Sequence, residues 1–284
     1  MRFLSSTVIL WLCTFLSAFA SGGEHALPPK AEPIWTNLPL TNSMLMAWIA
    51  VGIIVVFCRA ATSKMALVPS GIQNFCEWVV ESLYDFLESI LGANLVKKTF
   101  WFFASIFVFI LVSNLLGLFP GVGTIGHYDE HGRIIGLFRG ANADLNMTLA
   151  MATVFFALWI YWAVKENGMG GFLAHIFAPK GKFHGVMLVF MVAIFLVVGF
   201  LEIISICVRP VALTFRLFGN IYGGEQTMEK LMLLVPEKLA FLPALPFYFM
   251  ELLVAFVQAL VFMLLTAVFL RLICEHAGEE GHHH

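Results

Sequence analysis

The run Arg209-Pro210-Val211-Ala212-Leu213-Thr214-Phe215-Arg216-Leu217-Phe218-Gly219-Asn220 sets an arginine in the middle of a long apolar stretch. A guanidinium at the centre of a bilayer costs roughly 2.5–3.5 kcal/mol on insertion scales, so such a residue normally has a partner or faces a watery cavity. If residues 202–228 form one helix turning about 100° per residue, Glu202, Ser205, Arg209, Arg216, Asn220 and Thr227 fall within a sector of about 60°. One polar stripe then runs along an otherwise apolar helix. The chemistry this suits is the handling of ions, because an arginine keeps its charge where a desolvated lysine would lose it. The simpler reading sends Arg209 and Glu202 to the headgroups and pairs Arg216 inside a bundle. Arg216, however, lies too far from either end to reach water unaided.

Further ionisable groups lie in the same apolar region. Glu225 is about 140° around the helix from Glu202, well off the arginine stripe. Downstream, Glu251 and Gln258 are seven residues apart and so share nearly one azimuth. An ionisable group inside an apolar helix is a functional hypothesis by default. The alternative is an internal salt bridge from Glu251 or Glu225 to Arg216, which would stabilise a hairpin but neutralise the arginine.

The elements that carry these groups belong to a bilayer. Of the 284 residues 60% are hydrophobic and 12% charged, with a mean hydropathy of +0.90; an ordinary soluble domain has about 45–50% apolar and about 25% charged residues. At about 20 residues per span, the expected fold is all-α and polytopic. It has about five membrane-crossing helices plus one interfacial amphipathic helix. The first span centres on Met44 to Cys58 and is closed by Arg59 and Lys64. After Pro69-Ser70, Glu77, Glu81, Asp85 and Glu88 alternate at helical spacing with Phe75, Trp78, Val79, Phe86 and Ile90, which predicts the amphipathic helix. Spans follow over residues 100–119 and about 146–164. Apolar character then continues from Gly185 to Leu234, roughly 75 Å of helix at about 1.5 Å per residue, so the segment must break, tilt strongly or lie along something. Pro236, Pro243 and Pro246 are expected to make the turn, and Phe247 to Ile273 to return as the second arm of a hairpin.

Residues 1–20 have the layout of a signal peptide, with Arg2, an apolar core and a cut after Ala20; an uncleaved anchor is the alternative. Residues 21–40 form an extracytoplasmic segment, 41–274 a single transmembrane domain and 275–284 a polar tail. Seven Lys/Arg in short loops on one side (Arg59, Lys64, Lys97, Lys98, Lys165, Lys180, Lys182) against three on the other (Arg133, Arg139, Lys238) put the N-terminus outside and the C-terminus in the cytoplasm. The five cysteines show no metal-ligand spacing and read as small buried residues. No metal site is expected from His282-His283-His284, and no cofactor. The net charge of −2 gives no reason to expect nucleic-acid binding, and no phosphate loop is present for nucleotide.

The stretch from Pro210 to Glu225, with its Arg-Leu-Phe-Gly-Asn core and Tyr222-Gly223-Gly224-Glu225, closely resembles subunit a of rotary F-type ATP synthases. Ala143 to Thr148 upstream and Gln258 to Phe262 downstream sit in the matching order, and the resemblance covers roughly residues 40–272. It implies a bacterial inner-membrane subunit that moves protons, or sodium ions, through two offset half-channels, and that has no catalytic site of its own. It also implies that the two long C-terminal helices lie tilted against a ring of c subunits, with subunit b of the peripheral stalk and lipid as other partners. By the same resemblance Arg216 is the essential arginine facing the c-ring carboxylate. Asn220, Glu225, Glu251 and Gln258 line the outer half-channel with Asp144 near its mouth, and Glu202 and Ser205 line the cytoplasmic one. Some family members have a histidine at the position of Glu251, and others pair a glutamate there with a histidine at that of Gly224; this chain has glutamate with glycine, so water would replace the imidazole. The rival function is a secondary ion-coupled transporter, but the internal repeats it predicts are missing. An intramembrane hydrolase would need a nucleophile–base motif that does not occur.

Overall fold

The structure, a computed structural model, describes residues 31, 33, 40–63, 65–119, 122, 126–128, 134–177, 186–236, 239 and 241–280. Six long helices make up nearly all of it: α1 (Asn42–Thr62), α2 (Ile72–Leu91), α3 (Ala93–Gly117), α4 (Leu145–Phe177), α5 (Val186–Leu233) and α6 (Phe241–Glu280). All but α2 are long and apolar enough to cross a membrane. The expected all-helical, polytopic architecture is therefore present, with one addition. Between α3 and α4 a short antiparallel hairpin pairs β1 (Gly126–Tyr128) with β2 (Ile134–Gly136), followed by a 3-10 turn over Ala141–Ala143.

Local chemistry sets the helix limits. Thr41 caps α1, its hydroxyl accepting from the Met44 amide at 3.3 Å. Gly71 and Gly92, at φ +59° and +78°, bound α2, because the left-handed turn at each end is one that a residue with a Cβ resists. Asp144 opens α4: its carboxylate accepts from the Asn146 amide at 3.2 Å and its carbonyl from the Thr148 amide at 3.2 Å.

Helix α2 is amphipathic as expected. Leu83, Tyr84, Phe86, Leu87, Ile90 and Leu91 pack on the core while Glu77, Glu81 and Asp85 are exposed. Phe75 and Trp78, however, are exposed and lie beside each other with tilted rings, centroids 6.2 Å apart. Aromatic rings left on the outside of an interfacial helix suit the headgroup zone.

Three other expectations need correction. Helix α4 goes slightly beyond the expected end near Val164: it is interrupted by non-helical Gly168, and a second helical piece runs on to Phe177. Of the three prolines, Pro243 lies in the first turn of α6, where no backbone donor is needed, and Pro246 lies just inside it. The described cysteines are not buried: Cys58 and Cys207 are exposed and Cys76 and Cys274 half-buried, while Cys13 lies outside the described residues. The apolar surroundings that suggested burial are here the lipid-facing sides of single helices, so low polarity does not mean packing.

Helix α6 is the centre of the fold, touching α2, α3, α4 and α5. Side chains from its neighbours bond to its backbone: Asn114 of α3 donates to the Ala255 carbonyl at 3.0 Å, and Trp159 and Asn167 of α4 donate to Phe269 and Ile273 at 3.0 Å each. A helical carbonyl keeps a spare lone pair, so these bonds add to the ladder without breaking it. Buried Ala255, Ala259, Thr266 and Ala267 let the neighbouring backbones approach closely.

Candidate functional site

The long apolar segment does not break. Helix α5 runs unbroken through Pro210, and its apolar span, Ile194–Met232, contains 39 residues. At about 1.5 Å per residue this is roughly 58 Å, about twice the ~30 Å hydrocarbon thickness. Keeping it in the bilayer requires a steep tilt.

Its two sides differ. Leu213, Leu217 and Ile221, at i, i+4 and i+8, are buried in the core. Val208, Val211 and Phe215 are exposed on the other side, and Arg216, about 40° around the helix from Asn220, is exposed at the edge between the two. Among the described residues Arg216 makes no ion pair or hydrogen bond. The internal salt bridge from Glu225 or Glu251 to Arg216 is thus not formed.

Helix α6 runs antiparallel to α5. Asn220 donates to the Gln258 amide oxygen at 2.6 Å, and the Arg209 guanidinium lies 5.0 Å from the Phe269 ring centre. Glu251 is 3% exposed and Gln258 4%. The carboxyl end of Glu225 is also enclosed, with Oε2 buried and without a hydrogen-bond partner. Its charged neighbours are Arg139, Glu251 and Glu229. The structure thus brings Asn220, Glu225, Glu251 and Gln258 together between two helices.

The Glu251 carboxylate packs directly against Gly224. A Cβ built at Gly224 would fall onto the Glu251 carboxylate. The glutamate occupies the space a larger residue at 224 would need, so the two positions share one volume.

On the other side of Arg216, Glu202 and Arg209 form an ion pair two turns apart, 2.9 Å between Oε1 and Nη2. Ser205 lies exposed between them. Glu202 is 14 residues from Arg216 and Glu225 is nine, roughly 21 Å and 14 Å along the helix. Asp144 closes the loop whose Gly140 lies against Glu225. Besides capping α4 it accepts a hydrogen bond from the Ser43 hydroxyl of α1 at 3.0 Å.

Several buried polar residues near this site were not among the expected ones. Asn142 donates to Asn114 at 2.6 Å, both almost wholly enclosed. Arg139 is 3% exposed. Asn114 was findable as an amide within an apolar span; Asn142 and Arg139 lie in a loop where polar residues attract no notice.

Fold and site together define a polytopic helical membrane protein with ionisable groups enclosed between two long paired helices. Residues 44–271 match the family model described as ATP synthase A chain. Similar proteins carry the name ATP synthase subunit a: one from Solidesulfovibrio magneticus is 32% identical over 248 residues, covering 87% of this chain and 90% of that protein. One from Nitratidesulfovibrio vulgaris is 34% identical, covering 81% and 84%, and one from Pelodictyon phaeoclathratiforme is 30% identical, covering 93% and 74%. The chain belongs to the ATP synthase A chain family. Its function is that of the proton-translocating subunit of the membrane sector, and a secondary transporter is not favoured.

Proposed function

We propose that Arg216 is the fixed charge that separates two offset half-channels and meets the carboxylate of a rotating c subunit. The observation that carries this reading is the exposed guanidinium at the edge of an apolar outer face, without an acidic partner among the described residues. Such a charge calls for a partner or a watery cavity, and a carboxylate from outside the chain would be that partner. Asn220, Glu225, Glu251 and Gln258 line the outer half-channel, with Asp144 near its mouth; Glu202 and Ser205 line the cytoplasmic one. The guanidinium repels a hydrated proton that would cross directly and attracts the ionised carboxylate arriving from the ring. The exposed apolar residues of α5 around it, Val208, Val211 and Phe215 among them, form the surface for the ring.

In this reading the remaining partners are subunit b of the peripheral stalk and lipid, while nucleotide chemistry belongs to other subunits. The chain sits in a bacterial inner membrane with its N-terminal segment outside and its C-terminus in the cytoplasm. The lysine and arginine asymmetry of the short loops supports that orientation.

In membranes carrying the assembled complex, Arg216→Ala and Arg216→Lys are expected to abolish ATP-driven proton pumping while leaving subunit assembly largely intact. Substantial pumping by Arg216→Ala membranes would refute the role. In the same system, single cysteines should label from outside at His131→Cys and not at Lys180→Cys; the reverse would overturn the orientation.

A further inference from the structure

Arg139 precedes the 3-10 turn of Ala141–Ala143 and is almost fully buried. One of its Nη2 protons goes to the Ala143 carbonyl at 3.0 Å, which fixes the loop to itself. The next residue, Gly140, lies directly on the site: a Cβ built there would be 2.7 Å from Oε1 of Glu225 and 3.6 Å from the Cα of Gly117. The loop carrying the arginine is therefore pressed between the end of α3 and the Glu225 carboxyl group. Glu225 is also acted on by two further carboxyl groups, Glu251 across on α6 and Glu229 one turn along α5. Among the described residues, Arg139 is the cation that acts on Glu225. A bare collection of carboxyl groups in a poorly hydrated space repels itself, and an ion entering it would be held instead of handed on.

We propose that Arg139 is a positioning residue of the outer half-channel, whose permanent charge balances the Glu225, Glu229 and Glu251 carboxyl groups and keeps Glu225 against the loop. Arginine suits this task because it stays charged when buried. The inference rests on the half-channel reading above, and Arg139 need not touch the moving ion.

The test uses the complete ATP synthase reconstituted in liposomes and measures ATP-driven proton pumping for Arg139→Lys, Arg139→Gln and the double variant Arg139→Gln/Glu229→Gln. The expected results are pumping within about twofold of the parent for the lysine and a loss of about fivefold or more for the glutamine. The double variant should regain at least half of the parent rate, since removing one carboxylate restores the charge balance. A role limited to the bond with Ala143 would be indifferent to Glu229, so an assembled double variant as slow as Arg139→Gln overturns the proposal. So does Arg139→Gln pumping at the parent rate. If Arg139→Gln fails to assemble, the double variant decides against the lysine: assembly with at least half of the lysine rate supports charge balance, and anything less contradicts it. Arg216→Ala in the same liposomes separates the two claims. If it pumps, the half-channel reading itself falls; if it does not and Arg139→Gln does, only the role of Arg139 falls.

Discussion

On the inner side of α5, Leu213, Leu217 and Ile221 are buried and the amide of Asn220 is tied to Gln258 of α6. Arg216, only about 40° around the helix from Asn220, is exposed at the edge of this side with no ion pair or hydrogen bond among the described residues, and Val208, Val211 and Phe215 are exposed beyond it. The same helix thus has polar groups settled within the chain and, at the edge of the same stripe, a charge left over. The difference teaches where this protein ends. Groups that the chain encloses can be understood from its own packing, whereas Arg216 calls for a partner or a watery cavity, and a carboxylate from elsewhere would be that partner.

Substitutions should separate these two kinds of group sharply. After the loss of pumping expected of Arg216→Ala, the next largest effect is expected at Gly224, where the side chain of a valine would take the volume now held by the Glu251 carboxylate. Gly224→Val should push that flexible carboxyl end aside and lower proton pumping several-fold with the subunit still assembled. Normal pumping would mean that the packing of Glu251 against Gly224 is not a working feature. The smallest effect is expected at the part-exposed Glu202–Arg209 pair. Such a pair contributes about 0–1 kcal/mol, so Glu202→Gln should leave the thermal midpoint of the complex within about 2 °C. Any larger effect on pumping than on that midpoint would then report the ion path and not the fold.

Much of this was legible in the sequence because the bilayer imposes strict rules. Runs near 20 apolar residues give the spans, and the three- and four-residue spacing of Glu77, Glu81, Asp85 and Glu88 gives the interfacial helix. Arg216 stood out because charge inside such a run is costly. Helix ends were harder. Helix α4 is interrupted at non-helical Gly168 before a second helical piece runs on to Phe177, and Pro243 is tolerated because it falls in the first turn of α6, whereas Pro246 lies inside that helix. The partners of buried groups were not legible. Nothing in the spacing of residues 139 and 225 says that a loop arginine comes to a helical glutamate 86 positions away. The volume shared by Gly224 and Glu251 is likewise a tertiary fact, since only the crossing of α5 and α6 creates it.

The central claim is that Arg216 blocks while Glu251 conducts. A carboxyl group along the path lowers the local cost of a cation, and a fixed guanidinium raises it. The most direct measurement is passive proton flux through the reconstituted complex under an imposed potential, comparing Arg216→Ala with Glu251→Gln. The account predicts that Arg216→Ala raises uncoupled flux and that Glu251→Gln lowers flux in both directions without a leak. If Glu251→Gln made the liposomes as leaky as Arg216→Ala, the division of roles between the two residues would be contradicted.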